Sequence, residues 1–551
     1  MSLSISTERK VTLDPITVEV IGATLSSIAE ETGEALIRAS YSTNIKERRD
    51  CSTALFDAQG HTLCQAEHIP IHLGSLIGIV SHVLKLHSIA DMRPGDVFVG
   101  NDAYAGGGTH LPDIVLAEPI FVGRAIVAWT ANLAHHADFA DRGHAHIYQE
   151  GLRIPPIRLY RAGELQKDIL DIILLNCQVP RERLSDLRAQ MAANRLGVRR
   201  FQALCAKHGL GTVLAAGEAL LDYAERKMRA GIAAMPNGVY RFEDVFDSAE
   251  IADNLPMAVE ITITGDEMKL HFESPPQVRA GINMTYTALL ATVYYAVKSV
   301  VDPTILPNAG LARPLTVTAQ AGTVLNCVHP AAVNGRVQTC QRVSDMVFGA
   351  LARAMPERLM ACTNSACSVA TFVGQRPDDG TIWVYLETMG GGSGARPDRD
   401  GLDGVHVHTT NTSNLPVEAL EPEYPLIVMR YELIAGSGGA GKFRGGMGLR
   451  RAYRANAECV VRLDLSRLRS ESWGLLGGLP GQRSRVICGP DVVFKKDNAT
   501  LQTGQWFEVI TPGAGGYGPP VERDRAMIAR DLAEGVIDAE TARKIYGYES
   551  L

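Results

Sequence analysis

The chain has 551 residues, 46% hydrophobic and 21% charged, with 53 glycines. That length is several times the usual domain size, so roughly two to four domains or one large elaborated unit are expected, with a sizeable core. A formal net charge of -7, a pI near 6.1 and the lack of a Lys/Arg-rich run argue against nucleic acid as a partner.

The ten cysteines are scattered. Cys362 and Cys367 are the one close pair, and no second pair stands at metal-binding spacing, so reduced cytosolic thiols are expected. The N-terminus MSLSISTERKVTLD has no apolar leader-like core, and no run reaches the roughly 18 to 20 apolar residues that cross a bilayer. A soluble, cytoplasmic protein is the expectation.

Asp14-Pro15 predicts a helix start, with Ile21, Leu25, Ile28 and Leu36 following at helical spacing. Ser52 to Phe56 and Thr62 to Gln65 flank Asp57-Ala58-Gln59-Gly60, a hairpin signature. Asp50 precedes the first of these strands, and His68 and His72 follow the second. Any of the three suits a site, although a surface or core-satisfied histidine is the commoner fate of His68 and His72.

The stretch from Asn101 to Asp141 organises the rest. Apolar runs at Ile114 to Leu116, Ile120 to Val122 and Ala125 to Trp129 surround Gly123-Arg124, which predicts a hairpin. That fold brings His110 and Asp113 near His135, His136 and Asp138. Imidazole and carboxylate donors suit zinc, manganese or iron, although lone His and Asp residues beside turns are more often caps. In one extended segment His135 and His136 point to opposite faces, so only one reaches a shared ion readily.

Further on, residues 167 to 215 read as helical, with Leu184, Leu187, Met191 and Leu196 on one face and Arg181, Arg183 and Arg188 on an outer one. A second helix runs from about Val213 to Ala234, a hairpin turns at Gly265-Asp266, and Thr285 to Val301 suits a buried helix. Asn308, Asn334 and Arg336 lie in loops, where binding groups concentrate, although turn chemistry explains the asparagines equally well. Gly436 to Lys442, GSGGAGK, fits the start of a phosphate-binding loop, but Phe443 stands where a hydroxyl is needed, so tight packing or a partner contact is expected instead. His406 and His408 are expected to share a face in a structural or substrate loop. Residues 524 to 544 predict an exposed helix pair, split at Gly535, that docks a partner.

The strings NIKERRDCSTALFD, HIPIHLGS, NDAYAGGGTHLPDI, HHAD, QEGLRIPPIRLY and GSGGAGKFRGGMG resemble signature segments of the hydantoinase B/oxoprolinase family. The resemblance covers nearly the whole chain. Cys51, Glu67 and a glycine run one residue longer than usual depart from the pattern beside the pocket, which bears on substrate size more than on the metal.

The resemblance implies a divalent metal (zinc, manganese or iron) on Asp50, His110, Asp113 and His135, with His136 and Asp138 as neighbouring catalytic candidates. It also implies a separate ATP-binding subunit of the hydantoinase A/oxoprolinase type, hence a hetero-oligomer, and a small cyclic amide or imide as substrate. A ketone carboxylase subunit and a non-catalytic scaffold are the alternatives. The expected architecture is α/β or α+β with mixed sheets: a metal-site domain over 1–235, a middle α+β region over 236–380 that opens a β-rich second domain, and a glycine-rich region with terminal helices over 381–551.

Overall fold

The computed structural model describes residues 13–66, 68–105, 107–136 and 142–549. Helix α1 (Pro15–Ala39) starts where the sequence predicts: Asp14 accepts from the Thr17 backbone N–H at 3.0 Å, and Pro15 takes a first-turn position that needs no intrahelical N–H. After the short α2 (Thr43–Lys46), a seven-stranded antiparallel sheet forms from β1 (Cys51–Asp57), β2 (Thr62–Gln65), β3 (Val97–Gly100), β4 (Asp113–Val122), β5 (Ala125–His135), β6 (Ile157–Arg161) and β7 (Glu164–Leu165). Its order is β2-β1-β5-β4-β3-β6-β7. The expected hairpin at Gly123 is the pair β4–β5, and its register sets Asp113 opposite His135.

Alternation decides what each strand shows to each face. Val115, Ala117, Trp129, Ala131 and Leu133 pack with Leu76, Val80 and Val83 of α3 (His72–Leu86) on one face. Ile114 and Leu116 pack on the other face with Leu187 and Met191 of α5 (Pro180–His208). The single helical stretch expected over 167 to 215 is broken: α4 (Lys167–Leu175) ends at Asn176, α5 follows, and α6 (Leu210–Ala233) begins after Gly209. Arg183, expected on an outer face, is buried because Asp186 pairs with it at 3.4 Å while accepting from the backbone N–H groups of Tyr41 and Ser42.

A second, four-stranded sheet comprises β8 (Gly238–Phe246), β9 (Leu255–Thr264), β10 (Glu267–Glu273) and β11 (Leu315–Ala319), ordered β11-β10-β9-β8. Gly265, at φ +62°, makes the predicted turn between β9 and β10. α7 (Tyr286–Val301) and α8 (Arg336–Leu351) close its core, and α7 also packs on α3, which joins the two layers.

The remainder contains β12 (Ser368–Gln375), β13 (Ile382–Met389), α9 (Val417–Glu423), β14 (Leu426–Leu433), β15 (Leu449–Ala455), β16 (Cys459–Asp464), β17 (Arg485–Cys488), β18 (Asn498–Leu501) and β19 (Trp506–Ile510). The four-stranded sheets β13-β12-β16-β18 and β14-β15-β19-β17 share one core around Phe372, Tyr385, Tyr453 and Phe507. Because β12 and β13 pair across Gly380, the expected division between residues 380 and 381 falls inside a hairpin.

Glycine-rich segments cross beside these sheets with main chain against main chain. A methyl at Gly439 would lie 2.1 Å from the Leu479 carbonyl oxygen, and one at Gly446 would lie 2.0 Å from that of Leu402. The Gly439 and Gly446 N–H groups donate to Ala514 O and Ser393 O at 2.7 and 2.9 Å, so amides suited to cradling a phosphate are already engaged. The terminal helices α10 (Arg525–Ala533) and α11 (Ala539–Lys544) pack on this region: Ile528, Ile537 and Tyr546 bury against Ala440. The helix pair is, as expected, largely exposed, and its apolar residues are covered from within the chain. Among the described residues, no helix is long and apolar enough to cross a membrane.

Candidate metal centre

His110, Asp113 and His135 each offer a ligand atom, and these atoms lie within 4.8 Å of one another. All three side chains are buried, and together with Asp50 and His72 they gather where the end of the β4–β5 hairpin meets the starts of β1, α3 and α8. His110 Nε2 is 3.0 Å from Asp113 Oδ1, while His72 Nε2 is 3.8 Å from both Asp113 Oδ1 and Asp50 Oδ1. His135 Nδ1 is 3.9 Å from Asp50 Oδ2. The adjoining pocket is about 70 Å³ and is lined by Asp50, His72, His110 and His135 among others.

The surroundings orient these donors. His110 Nδ1 lies 3.0 Å from the Asn334 carbonyl oxygen, to which it donates, so that Nε2, beside Asp113 Oδ1, is the ring nitrogen that could face an ion. His72 is fixed the same way: the Ser52 hydroxyl donates to Cys51 O at 2.8 Å, so its oxygen accepts from His72 Nδ1 at 3.1 Å. Arg336, at the start of α8, donates to Asp113 Oδ2 at 3.0 Å and to Thr109 Oγ1 at 2.9 and 2.8 Å. The Asn44 amide donates to the His135 carbonyl at 2.6 Å.

Electrostatics complete a set of donors suited to a cation. Burial lowers the pKa of His110, His135 and His72, which favours the form with a lone pair available to an ion. Burial alone would raise Asp113, but His110 and Arg336 outweigh it and hold the carboxyl well below its usual range. Asp50 goes the other way, raised by burial against the opposing effect of His72 and Arg48. Its carboxylate makes no hydrogen bond among the described residues, the ring nitrogens of His72 and His135 lying 3.8 and 3.9 Å away. Two or three imidazoles beside a fixed carboxylate form the kind of donor set that holds a borderline divalent ion.

A family model described as Hydantoinase B/oxoprolinase matches residues 14–520. The chain belongs to that family. An uncharacterized protein of Methanocaldococcus jannaschii is 38% identical, the match covering 97% of this chain and 96% of that protein. A putative D-/L-hydantoinase subunit of Pseudomonas sp. is 32% identical over 97% and 95% of the two chains. The solved ATP-dependent caprolactamase of Pseudomonas jessenii superposes with a TM-score of 0.87 at 29% identity, covering 97% of this chain and 96% of that one. Acetone carboxylase shares the fold, with a TM-score of 0.88 at 19% identity over 97% and 79% of the chains.

Within this hydantoinase B/oxoprolinase chain, the structure brings Asp50, His110, Asp113 and His135 together but not His136. The His136 ring lies on the opposite face, beside α5, where Nε2 is 3.1 Å from Gln190 Oε1 and burial pushes its pKa down to about 4. Strand alternation is the reason: His135 shares its face with Leu133, and His136 does not. Asp138 lies outside the described residues. His68 lines a neighbouring cavity rather than this pocket. His406 approaches Thr410 and Thr412 of the pocket wall at 3.3 and 3.4 Å, whereas His408, at φ +49°, is buried against Asp345 at 3.0 Å, so the two do not share one exposed face.

Two supporting residues carry weak sequence signals. Glu150, within QEGLRIPP, accepts from the Val333 and Asn334 backbone N–H groups at 2.8 and 2.7 Å and so fixes the carbonyl that receives His110. Burial pushes its carboxyl up to about 7. Asp464 also lines the pocket and belongs to a second cluster with His144 and Glu250. Arg462 already supplies positive charge there, 3.3 Å from Glu250 and 2.7 Å from Asp497.

Proposed function

We propose that this chain is the metal-dependent subunit of an ATP-dependent enzyme that opens a cyclic amide or imide, ATP being held by a separate subunit of the hydantoinase A/oxoprolinase type. The observation that carries this reading is the buried convergence of His110, Asp113 and His135 with Asp50 facing them. The names of the Pseudomonas relatives, a hydantoinase subunit and an ATP-dependent caprolactamase, support the substrate class and the need for ATP.

A zinc, manganese or iron ion on His110, Asp113 and His135 would supply Lewis acidity toward the acyl oxygen. The chain's own residues do the rest. Asn334 O holds His110 in the tautomer that presents Nε2, and Arg336 keeps Asp113 anionic. Asp50, expected from the resemblance as a fourth ligand, is assigned here to proton transfer, because its carboxylate makes no hydrogen bond among the described residues and burial raises its proton affinity. As water oxygen adds to the acyl carbon, Asp50 takes the water proton, and it returns that proton to the ring nitrogen as the C–N bond breaks.

The test is metal analysis of the purified chain together with His110→Ala and Asp113→Ala, followed by ring-opening assays with hydantoin, 5-oxoproline and caprolactam in the presence of ATP and the partner. About one divalent ion per chain, lost in both variants along with activity, is the expected result. No ion in metal-replete complex would favour a scaffold. Bicarbonate-dependent consumption of acetone or acetophenone, with no cyclic amide opened, would make the chain part of a ketone carboxylase.

A further inference from the structure

The metal-side pocket is too small for an organic substrate. Its volume of about 70 Å³ admits an ion and a few waters, whereas sites for small organic molecules span about 300 to 1,000 Å³. A second cavity, of about 700 Å³, falls in that range. The two spaces have Ile69 and Thr410 in both walls, so these residues form the partition between them.

The larger cavity is formed by the segment after β2, the C-terminal half of α7, the loop over 303–312 and the segment 406–411. Its rim residues His61, Ser299 and Thr304 are exposed, and its inner residues Ile69, Ile305 and Leu311 are buried, so it leads from the surface to the partition. The partition is fastened on one side. Thr410 Oγ1 donates to Val407 O at 3.0 Å and accepts from Gln341 at 2.8 Å, and the Ile71 N–H donates to Thr409 O at 3.2 Å. The Ile69 side chain is apolar, makes no hydrogen bond and is held by packing alone.

The lining also bears on the chemistry of a ligand. Among the described residues it contains Lys298 and several histidines but no aspartate or glutamate, beside apolar wall from Ile305, Leu306 and Leu311. A neutral or anionic ring has apolar surface to cover and donors to meet.

We propose that the cavity of about 700 Å³ is the binding site for the ring of a neutral or anionic small molecule, whose carbonyl reaches the His110, Asp113 and His135 cluster past Ile69. This deepens the ring-opening reading and rests on it for the cyclic amide, but its test does not depend on turnover. Saturation-transfer NMR on the metal-loaded full chain would use hydantoin, caprolactam and acetophenone as probes. The comparison is with Ser299→Trp/Ala309→Trp, which fills the cavity from its rim and 303–312 loop, and with Ile69→Ala, which widens the partition.

At least a tenfold loss of probe binding in the filled variant, with its ion content unchanged, is expected. Ile69→Ala should bind 5-phenylhydantoin at least fivefold more tightly than the unmodified chain does, which keeps the test open should the filled variant not fold. Probe binding within twofold of the unmodified chain in the filled variant overturns the proposal. So does the absence of binding by any probe to the unmodified chain. Binding of acetophenone but of no cyclic amide keeps the cavity as the ligand site and sinks the ring-opening reading alone.

Discussion

Replacing Arg336 with methionine tests how the proposed centre is held together. Arg336 is 3% exposed and Asp113 fully buried, and the pair stands at 3.0 Å with two further guanidinium bonds to Thr109. Methionine keeps much of the volume and removes the charge, leaving Asp113 buried without its cation. Breaking a buried pair in this way costs about 3 to 5 kcal/mol.

The pH dependence has a definite sign. The folded-state pKa of Asp113 is depressed, so its stabilising contribution is present above the unfolded value near 3.8 and is lost as pH falls through the folded value. In Arg336→Met His110 remains but one of the groups that offset burial is lost, and the carboxyl pKa climbs. The deficit is therefore largest at neutral pH and narrows in acid. Urea unfolding of the metal-free chain at pH 7 and pH 5 measures it, and saturating zinc should restore much of the loss by taking over the countercharge. A variant within about 0.5 kcal/mol of the unmodified chain at pH 7, the range of ordinary surface changes, would refute the reasoning.

Glu150→Ala should weaken metal binding about 10- to 100-fold in chelator competition by freeing the loop that carries the Asn334 carbonyl, while Glu150→Gln, which retains an acceptor oxygen, should stay near the unmodified affinity. Asp50→Asn should keep its ion and lose about 10²- to 10⁴-fold in ring-opening rate; loss of the ion instead would make Asp50 a ligand. Lys442→Ala should leave ATP-dependent turnover of the complex within about twofold, since the backbone around it is already hydrogen-bonded. Gly439→Val should abolish folded protein, as judged by soluble yield and thermal unfolding, because its first side-chain atom would meet the Leu479 carbonyl at 2.1 Å.

Much of the candidate site was legible because it lies across one local hairpin. Gly123-Arg124 predicted the turn, and strand periodicity then put Asp113 opposite His135 and required His135 and His136 to diverge. Arg336 was visible only as a polar loop residue, since its partnership with Asp113 spans 223 positions and depends on α8 reaching the first sheet from the second. His72 could not be separated from an ordinary core histidine, because its role follows from the packing of α3. The helical period over 167 to 215 was real, but it could not show that an outward-looking arginine, Arg183, turns inward to Asp186.

The packed glycines of the C-terminal region have a dynamic consequence. Across 436–448 and 511–516 no helix or strand runs, yet buried main-chain amides bond to main-chain carbonyls from distant parts of the sequence. Amide exchange should therefore be slow there, in segments whose lack of regular structure would ordinarily mark them as labile. Protection would come from interlocked backbones, and a single added methyl at the contact could unlock it.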